Sequence, residues 1–184
     1  MILLVVAGVL FLIIILIYNS LISKKNQVEN AFASVDTMLK KRFDLIPNLV
    51  NTVKAYMSHE KSILTEVTEL RAKATSGNVS NDEVVALDNQ LSKAVGRIMM
   101  VSENYPDLKS NTNFIQLQAS WTEIEEQISA ARRFFNTAVT EYNNAVEMFP
   151  TNIFARMMNY QRKKVFEIHE AERQNVDAGK LFGV

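Results

Sequence analysis

The chain contains no cysteine, two histidines, five glycines and three prolines in 184 residues, and neither sign of charge is in excess, with 20 Lys plus Arg against 20 Asp plus Glu. Each shortage excludes something. Without cysteine there is no disulfide, no thiolate metal site and no thiol nucleophile. Glycines at 8, 77, 96, 179 and 183 are too scattered to form a GxxxxGK[ST] or GxGxxG phosphate loop. Balanced charge argues against nucleic acid as a partner. His59 and His169 lie far apart, and Ile63 stands where a zincin helix starting at His59 would need its second histidine. Neither histidine has a glutamate three residues before it, as an inward-facing di-iron pair would require. A GxSxG elbow is also missing. No catalytic, cofactor-binding or metal-ligating residue is therefore assigned, and the expectation is a non-enzymatic protein without a cofactor. Glu123, Glu125 and Glu126 read as a solvated acidic face.

What is abundant is apolar surface at one end. The first 23 positions carry no charged side chain, and fourteen of residues 1–17 (MILLVVAGVLFLIIILI) are Leu, Ile, Val or Phe. As a helix, residues 1–22 span roughly 33 Å, enough to cross a hydrocarbon core of about 30 Å. A cleaved signal peptide is the alternative. The missing basic n-region and the poor cleavage site at Tyr18-Asn19-Ser20 favour a retained anchor over residues 1–23. Lys24 and Lys25 follow immediately, so the positive-inside rule places the N-terminus outside and the remainder in the cytoplasm. Two lysines are a small bias, and an external domain is the other arrangement.

Beyond the anchor the apolar spacing is helical nearly throughout, with no alternating runs bounded by Asn-Gly or Asp-Gly turns. Val28, Phe32, Val35, Leu39, Arg42, Ile46, Leu49, Val53, Tyr56, Glu60, Ile63, Val67 and Leu70 form one 4-3 stripe broken only by Arg42 and Glu60. This predicts a long first helix over about 24–75, kinked where Pro47 removes an N–H and crowds the carbonyl of Phe43. Gly77 suits a left-handed cap. Ser80 and Glu83 form a capping box that opens a second helix over about 81–105. Gly96 within it reads as a close-packing point, and Tyr105-Pro106-Asp107 ends it. Phe114, Leu117, Trp121, Ile124, Ile128, Ala131, Phe135, Ala138, Tyr142, Ala145 and Phe149 share one seam of a third helix over about 108–149, spaced as in a coiled coil. A fourth helix is expected over about 152–171, and a polar tail over 172–184. The fold class is all-α: an N-terminal transmembrane helix continuing into the long helix of an antiparallel up-and-down four-helix bundle.

Arg42 sits on the apolar stripe of the first helix. Its plainer expectation is to snorkel outward, and its alternative is an ion pair with an acidic group of the third helix. Of the basic triplets at 40–42 and 162–164, the second has apolar Phe154, Met157, Met158 and Phe166 nearby. Arg162, Lys163 and Lys164 are accordingly the candidate contacts with anionic lipid.

Three segments carry a family resemblance. They are KKNQVENAFASVDTMLKKRFDLIPNLVNTVKAYMSHE over 24–60, SENYPDLKSNTNFIQLQ over 102–118, and IEEQISAARRFFNTAVTEYNNAVEMFP over 124–150, with Tyr18-Asn19 ahead of them. In this combination the chain resembles the LemA family over nearly its whole length, with Phe32 where many relatives have Trp and Phe135 where many have Tyr. The resemblance implies a bacterial single-pass membrane protein of the inner or plasma membrane with a cytoplasmic helical bundle. It implies no agreed reaction or ligand. Some relatives are associated with shaping internal membranes, and others are encoded near an integral-membrane zinc metalloprotease.

The second helix is too short to cover the whole first helix, which leaves residues 24 to about 45 as a stalk with an unmatched stripe. A second copy could cover it, so Val28, Phe32, Val35 and Leu39 are the candidate self-association residues. The functional expectation is a membrane-anchored homo-oligomeric scaffold that organises or remodels membranes, with membrane lipid as its other partner. The alternative is an adaptor that docks a membrane-protein partner such as an integral-membrane metalloprotease.

Overall fold

A computed structural model describes residues 1–57, 59–77 and 79–166. The described chain is all helix with no strand: α1 (Ile2–Lys54), α2 (Lys61–Ala74), α3 (Asn81–Ser102), α4 (Pro106–Lys109), α5 (Thr112–Glu147) and α6 (Thr151–Met157). It divides into two compact units, one made of Met1–Ala31 with Arg132–Val184 and the other of Phe32–Ala131. Both α1 and α5 contribute to each unit.

In the unit Phe32–Ala131, α1 presents its stripe inward, and Val35, Leu39, Ile46, Leu49 and Val53 are all buried. The helix passes through Pro47 without a break. The carbonyl that Pro47 deprives of its helical donor belongs to Phe43, and Arg71 Nε–H donates to that oxygen at 2.9 Å.

The expected helix 24–75 is two helices. It ends at Lys54, where the N–H groups of Tyr56 and Met57 both turn back onto the Val53 carbonyl at 3.0 and 2.9 Å. Met57 is buried at this turn, Asn111 donates from Nδ2 to Tyr56 Oη at 3.0 Å, and Glu60 becomes the residue preceding α2. His59 and Lys61 are exposed and Glu60 is half-buried.

α2 packs on α3, with Arg97 and Glu66 paired across them at 2.5 Å. Gly77 adopts φ 74°, as its place after α2 predicts. The Ser80 and Glu83 capping box is present: Ser80 N–H donates to Glu83 Oε2 at 2.8 Å, and Glu83 N–H donates to Ser80 Oγ. Gly96 is not a close-packing point, since a Cβ added there would meet nothing within 4 Å. Pro106 opens the single turn α4, so the third expected helix begins at Thr112 and not near 108.

In the unit containing Met1–Ala31, the last part of α5 lies against α1, with Lys24 Nζ paired to Glu141 Oε2 at 2.5 Å. α1 leaves this unit after Ala31, and α5 enters it at Arg132. Full burial on α1 ends, going upstream, at Leu21, and on α5 it ends, going downstream, at Asn143. The two helices therefore run in opposite senses, with Lys24 and Glu141 level.

The expected fourth helix is cut short. α6 stops at Met157 in a Schellman turn, with Asn159 at φ 55°, its N–H on the Arg156 carbonyl and the Tyr160 N–H on the Ala155 carbonyl. Residues 161–166 then run extended along α5. Asn143 donates to the Lys163 carbonyl and accepts from the Lys163 N–H, both at 2.9 Å. Asn136 does the same for Phe166 at 2.9 and 2.8 Å. Seven helical residues advance about 10.5 Å and three extended residues about 10 Å, so two asparagines two turns apart meet every third residue of an antiparallel strap. Phe166 also stacks on Phe135, with ring centroids 4.6 Å apart. The expected helix beyond 166 and the tail at 172–184 lie outside the described residues.

Candidate functional site

Residues 1–16 are all exposed, and the most apolar 18-residue window of α1 is 0% buried. A core helix of that composition would be covered by its own fold. Uncovered Leu, Ile and Val side chains at about 25 cal/mol per Å² cannot be left in water over such a length. α1 thus carries one segment long and apolar enough to cross a membrane, exposed all round as a lipid-facing span is.

The site lies where that exposure ends. Leu21 is fully buried, and Lys24 and Lys25 follow one turn later. Lys24 is held by Glu141, and Lys25 lies 3.5 Å from Glu29 on the next turn of α1. Two residues past Glu141, Asn143 grips the backbone of Lys163, which brings Arg162, Lys163 and Lys164 to the same level as the two lysines. Arg162 reaches Glu147 at 3.2 Å, and Lys163 Nζ lies 5.8 Å from the centre of the Tyr142 ring. Burial, and secondarily the neighbouring Tyr160, push the Tyr142 phenol above its usual range, so it stays neutral. We refer to these five basic side chains, two on α1 and three on the segment that Asn143 holds beside α5, as the collar. The sequence supplies the triplet and the lysine pair separately. What joins them is Asn143, an amide that carries no mark distinguishing it from any helix-surface asparagine.

The proposed stalk surface is placed differently. Val28, Val35 and Leu39 are 3%, 0% and 0% exposed, and Phe32 is half-buried. Val28, Val35 and Leu39 are thus covered within the chain, and Phe32 keeps part of its surface exposed. Besides the short second helix, α5 reaches α1, at Lys24 in one unit and at Arg42 in the other.

Arg42 does not snorkel. It is 2% exposed and donates from Nη1 to both oxygens of Asp88 at 3.1 and 3.0 Å and from Nη2 to Glu125 at 2.8 Å, with its guanidinium carbon 4.5 Å from the Trp121 ring centre. Asp88 is 1% exposed, whereas the Glu125 side chain is 57% exposed. The ion-pair alternative is the correct one, and Asp88 is the partner that sequence reasoning misses. The arrangement is a charge cluster joining α1, α3 and α5. Among the described residues no group of three His, Asp or Glu side chains is placed to hold a metal ion. Lys40 and Lys41, beside Arg42 in the sequence, are exposed.

Residues 31–178 match the model of the LemA family. Protein LemA of Metamycoplasma hominis is 25% identical over 174 residues, covering 95% of this chain and 80% of that protein. Magnetosome protein MamQ 2 of Paramagnetospirillum magneticum is 22% identical over 190 residues, covering 90% of this chain and 70% of its own. Magnetosome protein MamQ of Magnetospirillum gryphiswaldense is 21% identical, covering 81% and 64% respectively. None of these names is that of an enzyme.

Proposed function

Because the chain belongs to the LemA family, and because its apolar span runs without interruption into its helical body, we propose that it is a non-enzymatic, membrane-anchored organising protein. The carrying observation is the continuity of α1 from Ile2 to Lys54. A catalytic domain or a fishing adaptor works well on a flexible tether, whereas here no linker separates the lipid-exposed turns from the buried ones that begin at Leu21. Confinement to a plane raises the effective concentration of copies. Their association uses outward faces such as the one bearing Asp36 and Lys40, because the apolar stripe is occupied. The basic collar adds three residues to the two-lysine bias, and this supports a cytoplasmic body over anionic headgroups.

The experiment is reconstitution of the full chain in vesicles of phosphatidylglycerol and phosphatidylcholine, with a single cysteine at Asp36 or Lys40 in the naturally cysteine-free sequence. Crosslinking between copies and a changed vesicle outline in electron micrographs are expected. Monomers at every protein density, in vesicles of unaltered shape, would overturn the proposal.

A further inference from the structure

We propose that the turn joining α5 to α6 is a second membrane element, a wedge that enters the leaflet from which α1 emerges. This inference rests on α1 being a membrane span, and its occupant is the boundary between headgroups and acyl chains.

The first observation is apolar exposure. Met148, Phe149, Ile153 and Met157 are 63%, 81%, 51% and 79% exposed, and residues 148–155 contain no charged side chain. The seam spacing places Phe149 at the end of the third helix, yet α5 ends at Glu147 and leaves it outside. On α6 the buried Ala155 faces the body. Ile153 and Met157 lie roughly 180° around the helix from it, at about 100° per residue, so α6 offers one face to the protein and the opposite one away from it.

The second observation is depth. With Lys24 and Glu141 level and the helices opposed, Met148 lies about 10 Å further toward the span, near the level of Ile17. If the hydrocarbon begins near Leu21, the exposed side chains sit about 5 to 10 Å inside it, the depth at which interfacial amphipathic elements lie. The burial of Leu21 and the half-burial of Ile17 agree that protein other than α1 reaches this level.

The third observation concerns backbone polarity, which a segment entering apolar surroundings must satisfy internally. Thr151 Oγ–H donates to the carbonyls of Ala145 and Met148 at 2.5 and 2.8 Å, and Asn152 N–H donates to Met148 O at 2.8 Å. The Schellman turn satisfies the carbonyls of Ala155 and Arg156 at the far end of α6. Pro150 brings no N–H to satisfy. Charge returns only at Glu147, Arg156 and Arg162, on the collar side of the tip or at its edge.

The test is a depth measurement on the full chain in vesicles, with single cysteines at Phe149 and Ile153, at Leu10 within the span and at Glu29 on the exposed face of α1 beyond the collar, each carrying a nitroxide label. Phe149 and Ile153 are expected to collide several-fold more with oxygen than with a water-soluble nickel chelate, as Leu10 does, and Glu29 to show the reverse. Aqueous behaviour at Phe149 and Ile153 beside lipid behaviour at Leu10 overturns the wedge and leaves the span intact. Aqueous behaviour at Leu10 overturns the span, and the wedge with it.

Discussion

Arg71 donates its Nε–H to the main-chain oxygen of Phe43, the oxygen that Pro47 leaves without its helical donor. A proline inside a long helix costs about 3 kcal/mol relative to alanine, partly through this lost bond. The guanidinium of α2 repairs it from outside. Arg71→Met is therefore expected to destabilise the protein by about 1 to 2 kcal/mol in thermal or denaturant melts followed by helical circular dichroism. In a Pro47→Ala background, where residue 47 supplies its own N–H, the same substitution should cost less than half as much. Equal costs in the two backgrounds would refute the repair.

Arg42 and Asp88 are buried together, so removing either leaves the other's charge in a poor solvent. Arg42→Met is expected to cost about 3 to 5 kcal/mol, and the double variant Arg42→Met with Asp88→Leu to recover a large part of that. Glu125→Gln, on a side chain more than half exposed, is expected to cost less than about 1 kcal/mol. A double variant as unstable as the sum of its singles would show that the cluster is not a coupled unit.

The all-helical class, the exposed apolar span, the capping box at Ser80 and the left-handed Gly77 are legible in the sequence because each depends on local spacing or local backbone chemistry. The turn at 55–60 is not legible, because the 4-3 stripe continues in phase across it and neither glycine nor proline marks it. The length of the fourth helix is misread for a different reason: Asn159 ends α6 by accepting a left-handed conformation, and Asn136 and Asn143 then capture the chain through bonds across 30 and 20 positions. Val28, Val35 and Leu39 are buried because α5, and not only the shorter second helix, lies on α1. Gly96 has no neighbour to pack against, and a helical spacing alone does not distinguish an open position from a close one. The collar becomes visible only once the asparagine bonds put Lys163 beside the foot of the span.

Those asparagine bonds make a local prediction. Asn143→Ala removes one donor and one acceptor from the Lys163 backbone, each bond worth about 0.5 to 1.5 kcal/mol. Tryptic cleavage after Lys163 or Lys164 in the folded protein should then accelerate by about tenfold, following the population of the released strap. Asn136→Ala should instead raise exchange of the Phe166 amide with little change at Lys163. Cleavage at an unaltered rate in Asn143→Ala would show that Asn143 is not what holds the strap at Lys163.

The capping box carries a pH dependence. Backbone and side-chain hydrogen bonds from Ser80 hold the Glu83 carboxyl below its usual range. Its folded pKa is lower than its unfolded one, so its contribution is fully present above the unfolded value of about 4.3 and fades as pH falls through the folded value. Between roughly pH 5 and pH 3, Glu83→Gln should therefore lose less stability on acidification than the unaltered chain, as read from melting temperatures across that range. Identical acid profiles would place the acid sensitivity of α3 elsewhere.

The collar predicts lipid selectivity and not membrane attachment, since the span keeps the protein in the bilayer whatever the collar does. Each basic residue near an anionic surface is worth about 1 kcal/mol, and Arg162 is partly offset by Glu147 at 3.2 Å. Replacing Arg162, Lys163 and Lys164 together by Gln should lower the preference for phosphatidylglycerol over phosphatidylcholine by about tenfold at low salt, measured as the lipids retained on the purified protein by native mass spectrometry. Raising the salt to about 0.5 M should shrink the preference of the unaltered chain toward that of the variant, because exposed charges are screened beyond a few ångströms at that ionic strength. An unchanged preference in the triple variant would mean that the collar serves only to hold the strap and to set the sidedness of the span.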